Sequence, residues 1–454
     1  MAKLFGSSGV RGIANVDLTP QLACKVGLVV AMHAKAKLAL VASDTRVSGP
    51  MLEDALVSAL LSTGTNVLLT GMVPTPTLAY ATKAFGADVG FMLTASHNPP
   101  QYNGIKVFRN DTLSYTDEDQ DAVEKIVREE TFRLADWRSL GKSTPVDAAE
   151  KYLEMALKAV SLKEQWRIVV DPGCGATCSL APIMLKTLGC KVTALNAQPD
   201  GYFPARKSEP TLESLQDLAN VVKALNADLG IAFDGDGDRV AFVDEKGVFV
   251  NFDRSLAAYS AYALKKNNGG TVVTNVEASM CIETTAQAQG GRVIRTKVGD
   301  IYVSEAVKES NAVFGGEPCG AWVHPKHHFC PDGPLSAALM LMALEKEDKT
   351  LSEFISEVPD YATQRKNIDC KNESKYEIVE KIGSALKTAF PSYLDFSTVD
   401  GVRLALKKGW LLIRASGTEP LIRLTVEGET LAVANNITQK ANAVIKKQVE
   451  AETK

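Results

Sequence analysis

The sequence predicts an α/β fold of three similar units followed by a smaller α+β module, and three observations carry that expectation. Short apolar runs of strand length alternate with helical patterns for most of the chain, the signature of helices layered on sheets. The pattern restarts near Trp166 and again near Asp253, and its character changes after Ala362. At roughly 150 residues per domain, the 454 residues correspond to about three domains, so one packed core does not hold them all. These breaks divide the chain into 1–145, 146–249, 250–364 and 365–454.

In the first unit, Thr19-Pro20 joins an N-cap residue to a proline at the first helical position and opens an amphipathic stretch to about Ala34. Residues 38–42 read as a buried strand, Pro50 opens a second helix that Gly64 closes, and 66–70 is the next strand. The apolar run 87–94 ends in the polar turn Ala95-Ser96-His97-Asn98-Pro99-Pro100. Such a turn lies beyond a strand's C-terminal end, where open α/β sheets place their chemistry. Residues 116–130 read as a solvated helix with an acidic first turn, and 142–145 as the first candidate linker. The second unit runs through strand 166–171, the loop Pro172-Gly173-Cys174-Gly175, a helix, strand 191–195, helix 211–226 and strand 228–233. In the third, strands 271–275, 292–295 and 312–314 have helices between them. The last module has a helix over 376–389, strands over 402–406, 410–414 and 421–427, and a C-terminal helix.

Composition removes several classes of function. Fifty Lys and Arg against 54 Asp and Glu give a net charge of -4, so no global positive field draws a nucleic acid or an anionic membrane. An anionic ligand has to be held by a local cluster. No apolar run approaches the roughly 18 residues of a membrane span, and the N-terminus enters a glycine-rich motif without an apolar signal core. Eight cysteines scattered through a large chain favour reduced thiols and a cytoplasmic location.

Each unit carries one conspicuous polar loop. Asp234-Gly235-Asp236-Gly237-Asp238-Arg239 puts three carboxylates, separated by glycines, just after an apolar run. Carboxylates at this density suit Mg²⁺ or Ca²⁺, since like charges held together need a cation. An EF-hand does not fit, because Arg239 stands where that loop needs glycine and both flanks read as strands. Ser96 beside His97 pairs a hydroxyl with an imidazole, although no G-x-S-x-G elbow surrounds it. Its plain alternative is a turn former. Asn103-Gly104-Ile105-Lys106 brings a lysine back towards that loop as a charge partner or proton donor. Arg414-Ala415-Ser416-Gly417-Thr418-Glu419-Pro420 with Arg423 has the make-up of an anion clamp. Gly315-Gly316-Glu317-Pro318-Cys319-Gly320-Ala321-Trp322 offers an acid and a thiol after a strand. His324, His327, His328 and Cys330 follow, but Pro325 interrupts any helix that would align them for zinc, so a polar pocket wall is expected.

With Gly6-Ser7-Ser8-Gly9-Val10-Arg11-Gly12, the Ser96 loop, the triple-aspartate loop, the Glu317 loop and the Ser416 loop in this order, the chain resembles the α-D-phosphohexomutase superfamily. The resemblance runs essentially end to end. Within the superfamily it is most similar to the archaeal phosphoglucosamine mutase and phosphomannomutase/phosphoglucomutase group. It implies three related α/β domains and a smaller α+β domain around a central cleft. It also implies that Ser96 is a phosphoserine and that Asp234, Asp236 and Asp238 hold one Mg²⁺ with a phosphoserine oxygen. Arg239 then lies beside them, with Lys106 and Arg11 managing protons and charge. Glu317 and Cys319 would contact sugar hydroxyls, and Gly299 and Asp300 would follow the ring. Arg414, Ser416, Gly417, Thr418 and Arg423 would bind the phosphate that is not transferred. Two positions depart from the pattern: Ala321 stands where many relatives have His, leaving His324 as a candidate substitute, and Ser7 stands where Thr is commoner.

The implied partner is a small-molecule sugar phosphate, with glucosamine phosphate favoured over mannose or glucose phosphate. The implied reaction interconverts a hexose 6-phosphate and its 1-phosphate, primed by a hexose 1,6-bisphosphate, with the fourth module rotating to admit the sugar. The competing readings are a Mg²⁺-dependent sugar phosphatase and a non-catalytic sugar-phosphate sensor.

Overall fold

The computed structural model describes every residue except 1–4, 7, 8, 130, 131, 373, 417–419, 453 and 454, and leaves undescribed the side chains of 128, 129 and 450–452. Four sheets follow one another along the chain. The first has six strands in the order Val10–Ile13, Tyr102–Arg109, Val89–Leu93, Leu38–Ser43, Asn66–Met72 and Ser143–Pro145. Its last four strands are parallel, and its first two pairings are antiparallel.

The second sheet orders Val240–Val243, Leu229–Phe233, Arg167–Asp171 and Lys191–Ala194, and the third orders Trp322–Val323, Phe314–Gly316, Gly270–Asn275 and Gly291–Thr296. Each repeats one motif: parallel strands, with an antiparallel strand added at the edge. The fourth sheet is antiparallel throughout, with Ala362–Asp369 and Asp395–Ser397 at its edges.

This arrangement gives every polar loop the same position. Ser96 lies between Val89–Leu93 and Tyr102–Arg109, the three aspartates between Leu229–Phe233 and Val240–Val243, and Glu317 between Phe314–Gly316 and Trp322–Val323. Ser416 lies between Gly409–Ala415 and Leu421–Gly428. All four loops are hairpin connections. Strands buried on both faces, such as Val89–Leu93 and Leu229–Phe233, read as continuous apolar runs.

Three expectations shift. Residues 142–145 are not a free linker, since Ser143–Pro145 pairs with Val67 to Leu69 as an exposed edge strand, a position that tolerates proline. The joint placed near Ala362 lies inside the edge strand Ala362–Asp369. The helix expected over 211–226 spans Gln216–Leu225, because Ser214 and Thr211 bond to one another and hold the preceding residues in a turn.

The second and third units share one apolar core running from Tyr152 to Val358, in which Trp322 lies 5.8 Å from Phe242 and 5.5 Å from Phe314. The first unit has cores of its own, and so does the fourth. A small cluster of Val276, Trp410 and Leu412 joins the fourth unit to the third. No helix among the described residues is long and apolar enough to cross a membrane.

Candidate active site

A cavity of about 310 Å³ opens where the first three loops meet, lined by Arg11, Ser96, Lys106, Asp238, Arg239, Gly299, Asp300, Glu317 and Cys319 among others. Ser96 is 3% exposed and has a φ of 50°, a left-handed conformation that a non-glycine residue keeps only when its surroundings impose it. Its hydroxyl donates to Asp234 Oδ2 at 2.8 Å and lies 3.3 Å from His97 Nδ1. Its N–H donates to Thr94 Oγ1 at 2.9 Å.

What imposes the conformation is Arg46, which the sequence reading did not single out. Its Nε donates to Asp44 Oδ2 at 3.0 Å, and its Nη1 donates to the carbonyls of Pro99 and Tyr102 at 2.7 and 2.8 Å. Its Nη2 donates to the carbonyls of Ser96 and Asn98 at 2.8 and 2.7 Å. All five guanidinium donors are therefore used, four of them on the carbonyls of the Ser96 loop. The hint in the sequence is an arginine three residues after a strand, and its carbonyl partners are 50 to 56 residues away.

The aspartate loop docks directly against this turn. A Cβ on Gly235 would meet the Ser96 carbonyl oxygen at 2.5 Å, so only glycine permits the approach. Asp234 Oδ1 accepts from the N–H groups of Gly237 and Arg239, both at 3.1 Å. Thr75 ties the first unit to the second, its N–H donating to the Asp236 carbonyl at 2.9 Å and its hydroxyl to Asp236 Oδ2 at 2.6 Å. Lys106 donates to Asp236 Oδ2 at 2.8 Å and to Asp238 Oδ2 at 2.6 Å.

Two tests show that these residues fit a divalent cation. Ligand oxygens of Asp234, Asp236 and Asp238 lie within 4.8 Å of one another, the one such group among the described residues. Asp236 Oδ1 and Asp238 Oδ1 are buried and find no hydrogen-bond partner, a condition that costs free energy unless a cation takes them. Burial and the neighbouring aspartates push the Asp234 carboxyl well above the usual range and raise Asp238 too. Burial acts on Asp236 in the same direction, but Lys106 outweighs it and holds that carboxyl low. Burial would also lower Lys106, yet Asp236 and Asp238 overcome it and keep the ammonium charged.

Arg239 lies 3.4 Å from Glu209 and 4.0 Å from Asp238, and Arg11 Nη1 donates to Asn98 Oδ1 at 3.0 Å. Burial, then the charges of Arg239 and Arg11, hold His97 down to about 3, so its imidazole is neutral near pH 7. On the facing wall, Glu317 Oε1 accepts from Asn275 Nδ2 at 2.7 Å and from the Gly299 N–H at 2.8 Å. Asn275 is thus a second residue the sequence reading missed. Asp300 opens the helix Asp300–Glu309 directly after Gly299. Burial pushes the Cys319 thiol up to about 12, against the pull of Arg239.

The fourth unit meets two lining residues: Asp400 Oδ2 accepts from the Val298 N–H at 3.1 Å, and Arg414 reaches Glu277. Arg414 pairs with Glu277, a lining residue, and with Asp400 at 2.9 Å. Ser416 and Arg423 do not line the cavity. Ser416 gives its N–H to the Leu421 carbonyl at 2.9 Å and its own carbonyl to Lys375, and Arg423 stands opposite Arg414 in the sheet register. Gly417 and Thr418 lie outside the described residues. His324 does not reach the cavity either: it is buried between Tyr259 and Phe314 with its Nε2 at 2.8 Å from Ser336. The nearby His328 lies 2.7 Å from Asp332, which also accepts from Tyr152. Disulfides are absent among the described cysteines.

A buried serine hydroxyl, an acidic triad and converging cations meet at the junction of repeated α/β units, and comparison with known proteins places this chain in the phosphohexomutase class. Four regions match the family described as phosphoglucomutase/phosphomannomutase: residues 2–134 its alpha/beta/alpha domain I, 150–247 domain II, 251–361 domain III and 366–444 the C-terminal domain. The chain belongs to this family. It is 40% identical over 450 residues to a probable phosphoglucosamine mutase of Pyrococcus abyssi, and 42% identical over 452 residues to one of Methanopyrus kandleri, covering 99% of each chain in both cases. A phosphoglucomutase/phosphomannomutase family protein of Burkholderia thailandensis, 27% identical, superposes with a TM-score of 0.89 over 98% of this chain and 97% of that one.

Proposed function

We propose that the protein interconverts a hexose 6-phosphate and its 1-phosphate, with glucosamine phosphate as substrate and Ser96 as the phosphoryl carrier. The observation that carries this reading is the Ser96 hydroxyl, held 2.8 Å from Asp234 in a cavity shared by Lys106, Arg11, Arg239 and Glu317. The choice of sugar rests on relatives of about 40% identity named as probable phosphoglucosamine mutases.

Asp234, Asp236 and Asp238 would hold one Mg²⁺ with an oxygen of phosphorylated Ser96, and the ion supplies charge neutralisation for phosphoryl transfer. Arg239 and Lys106 add fixed positive charge beside the same oxygens, and Arg11 faces them across the cavity. The free sugar hydroxyl attacks the phosphorus, the Ser96 Oγ–P bond breaks, and a hexose 1,6-bisphosphate results. The attacking hydroxyl gives up its proton and the departing Ser96 Oγ takes one up, which balances the transfer; His97, held down to about 3, is too weak a base to keep that proton near pH 7. After the bisphosphate turns over, its other phosphate returns to Ser96 Oγ. Glu317 and Cys319 grip the ring hydroxyls, Gly299 and Asp300 follow the ring, and the fourth unit closes over the cavity to bring Arg414, Ser416 and Arg423 onto the idle phosphate, with Arg414 already against the lining residue Glu277.

Mass spectrometry of the purified protein tests this directly, with a phosphate expected on Ser96. Ser96→Ala should lose essentially all interconversion, because Ser96 carries the one hydroxyl among the described lining residues, while still binding sugar phosphate. Steady release of inorganic phosphate that needs no bisphosphate primer would establish a phosphatase instead.

A further inference from the structure

One carboxylate at the rim of the cavity has no part in the scheme above. Glu277 follows the strand Gly270–Asn275 and lines the catalytic cavity together with Asn275, Asp300 and Glu317. It also bridges two units, since it pairs with Arg414 of the fourth module while Asp400 holds the other side of the same guanidinium. Its side chain is 37% exposed, so it is accessible to a ligand in the cavity.

Arg414 cannot serve a substrate phosphate and Glu277 equally well at the same time. A phosphorylated amino sugar brings both charges needed to separate the pair: a phosphate and, on C2, a primary ammonium. We infer that Glu277 is the residue that selects an amino sugar: the substrate phosphate takes Arg414, and the released carboxylate accepts hydrogen bonds from the ammonium. This rests on the glucosamine-phosphate reading given above and names the group that enforces it.

The discrimination comes from the exchange of partners. With an amino sugar, one ion pair opens and two form. With glucose or mannose phosphate, Arg414 is satisfied but Glu277 loses the cation it was paired with, while Lys106 and Arg239 in the same cavity are already engaged by Asp236, Asp238 and Glu209. An uncompensated, partly buried charge is costly, so the neutral sugar is penalised as well as the amino sugar favoured. Glu317 is less suited to the task, because Asn275 and Gly299 already hold one of its two oxygens.

The test compares kcat/KM for glucosamine 6-phosphate and glucose 6-phosphate, each primed with its own 1,6-bisphosphate, in wild type, Glu277→Gln and Glu277→Asp. For Glu277→Gln the preference for the amino sugar is expected to fall roughly ten-fold or more, mainly through KM for the amino sugar, with glucose 6-phosphate unchanged or improved. Glu277→Asp keeps the charge and should keep most of the preference, and thermal unfolding of both variants confirms that they fold. An equal loss on both sugars, or an unchanged ratio, would overturn the inference. Its failure is distinct from failure of the underlying reading: a wild type that prefers glucosamine alongside a Glu277→Gln variant that does so equally sinks only the role of Glu277. A wild type that prefers glucose 6-phosphate sinks both.

Discussion

At the residue scale, the Ser96 turn is held by a guanidinium that never touches the cavity. Arg46 and Asp44 are both fully buried, and removing one partner of such a pair strands the other, at a cost of about 3–5 kcal/mol. Arg46→Ala should therefore lower stability by that order in denaturant unfolding. Its second effect is positional: with four loop carbonyls released, Ser96 relaxes from its left-handed conformation, and a displacement near 1 Å costs on the order of 10²-fold in rate. Arg46→Lys separates the two effects, since one ammonium restores the charge beside Asp44 but cannot reach four carbonyls. It should recover most of the stability and little of kcat. A parallel recovery of both would show that Arg46 stabilises the fold without positioning the loop.

At the element scale, the helix Phe252–Lys266 carries a testable charge in its first turn. Asp253 Oδ1 accepts the Ser279 N–H at 2.7 Å. Burial pushes its carboxyl up to about 6, that hydrogen bond opposes the rise, and Glu427 adds to it. The unfolded value is about 3.9, so the folded state holds the proton more tightly between these two values. Stability from this group therefore falls as pH rises from about 4 through 6 and changes no further above. Asp253→Asn keeps the acceptor and removes the charge. It is expected to stabilise the protein by about 1–2 kcal/mol above pH 6, with the difference disappearing near pH 4 in denaturant titrations across that range.

The strands and helices that position the site were legible where local chemistry decides them. The runs at 38–42 and 228–233 announce buried strands, that at 66–70 a strand mostly half-buried, and Thr19 does cap the helix Pro20–His33 by accepting from the Leu22 N–H. Ser143–Pro145 was not legible, because an edge strand exposed at all three residues has no apolar pattern to read. Arg46 and Asn275 were hidden for a different reason. Their partners are distant in the chain, 42 residues away for Glu317 from Asn275, and only the folded sheets bring them together. His324 misled by adjacency: it follows the Glu317 hairpin in sequence, but the return strand turns its ring into the core against Tyr259 and Phe314.

At the scale of the whole molecule, the four sheets do not make four independent bodies. The second and third share one core from Tyr152 to Val358, whereas the fourth has its own and meets the third through the small cluster of Val276, Trp410 and Leu412, the Arg414–Glu277 pair, and the N–H groups of Met280 and Val298, which donate to Glu427 and Asp400. Native-state hydrogen exchange should show residues 150–358 opening as one cooperative unit and 366–444 opening separately at lower free energy. A single opening free energy across both regions would contradict this division. Motion of the fourth unit over the cavity is then a movement of one small body against a large one.

The hairpin placement of the loops has a further reach. Each of the first three chemistry-bearing loops connects an inner strand to an antiparallel neighbour, so outside close approaches such as Gly235 a loop can change while the parallel strands behind it keep their register. The Glu317 loop is an exception to that freedom, because its Gly320 carbonyl accepts from the Val240 N–H at 3.0 Å and Ala321 bridges to Arg239, so the sugar-facing hairpin and the aspartate hairpin hold one another. A hairpin grafted there from a relative has to keep Gly320, where a Cβ would meet the Val240 carbonyl oxygen at 2.2 Å, and it leaves Glu277, beyond a different strand, to set the sugar preference.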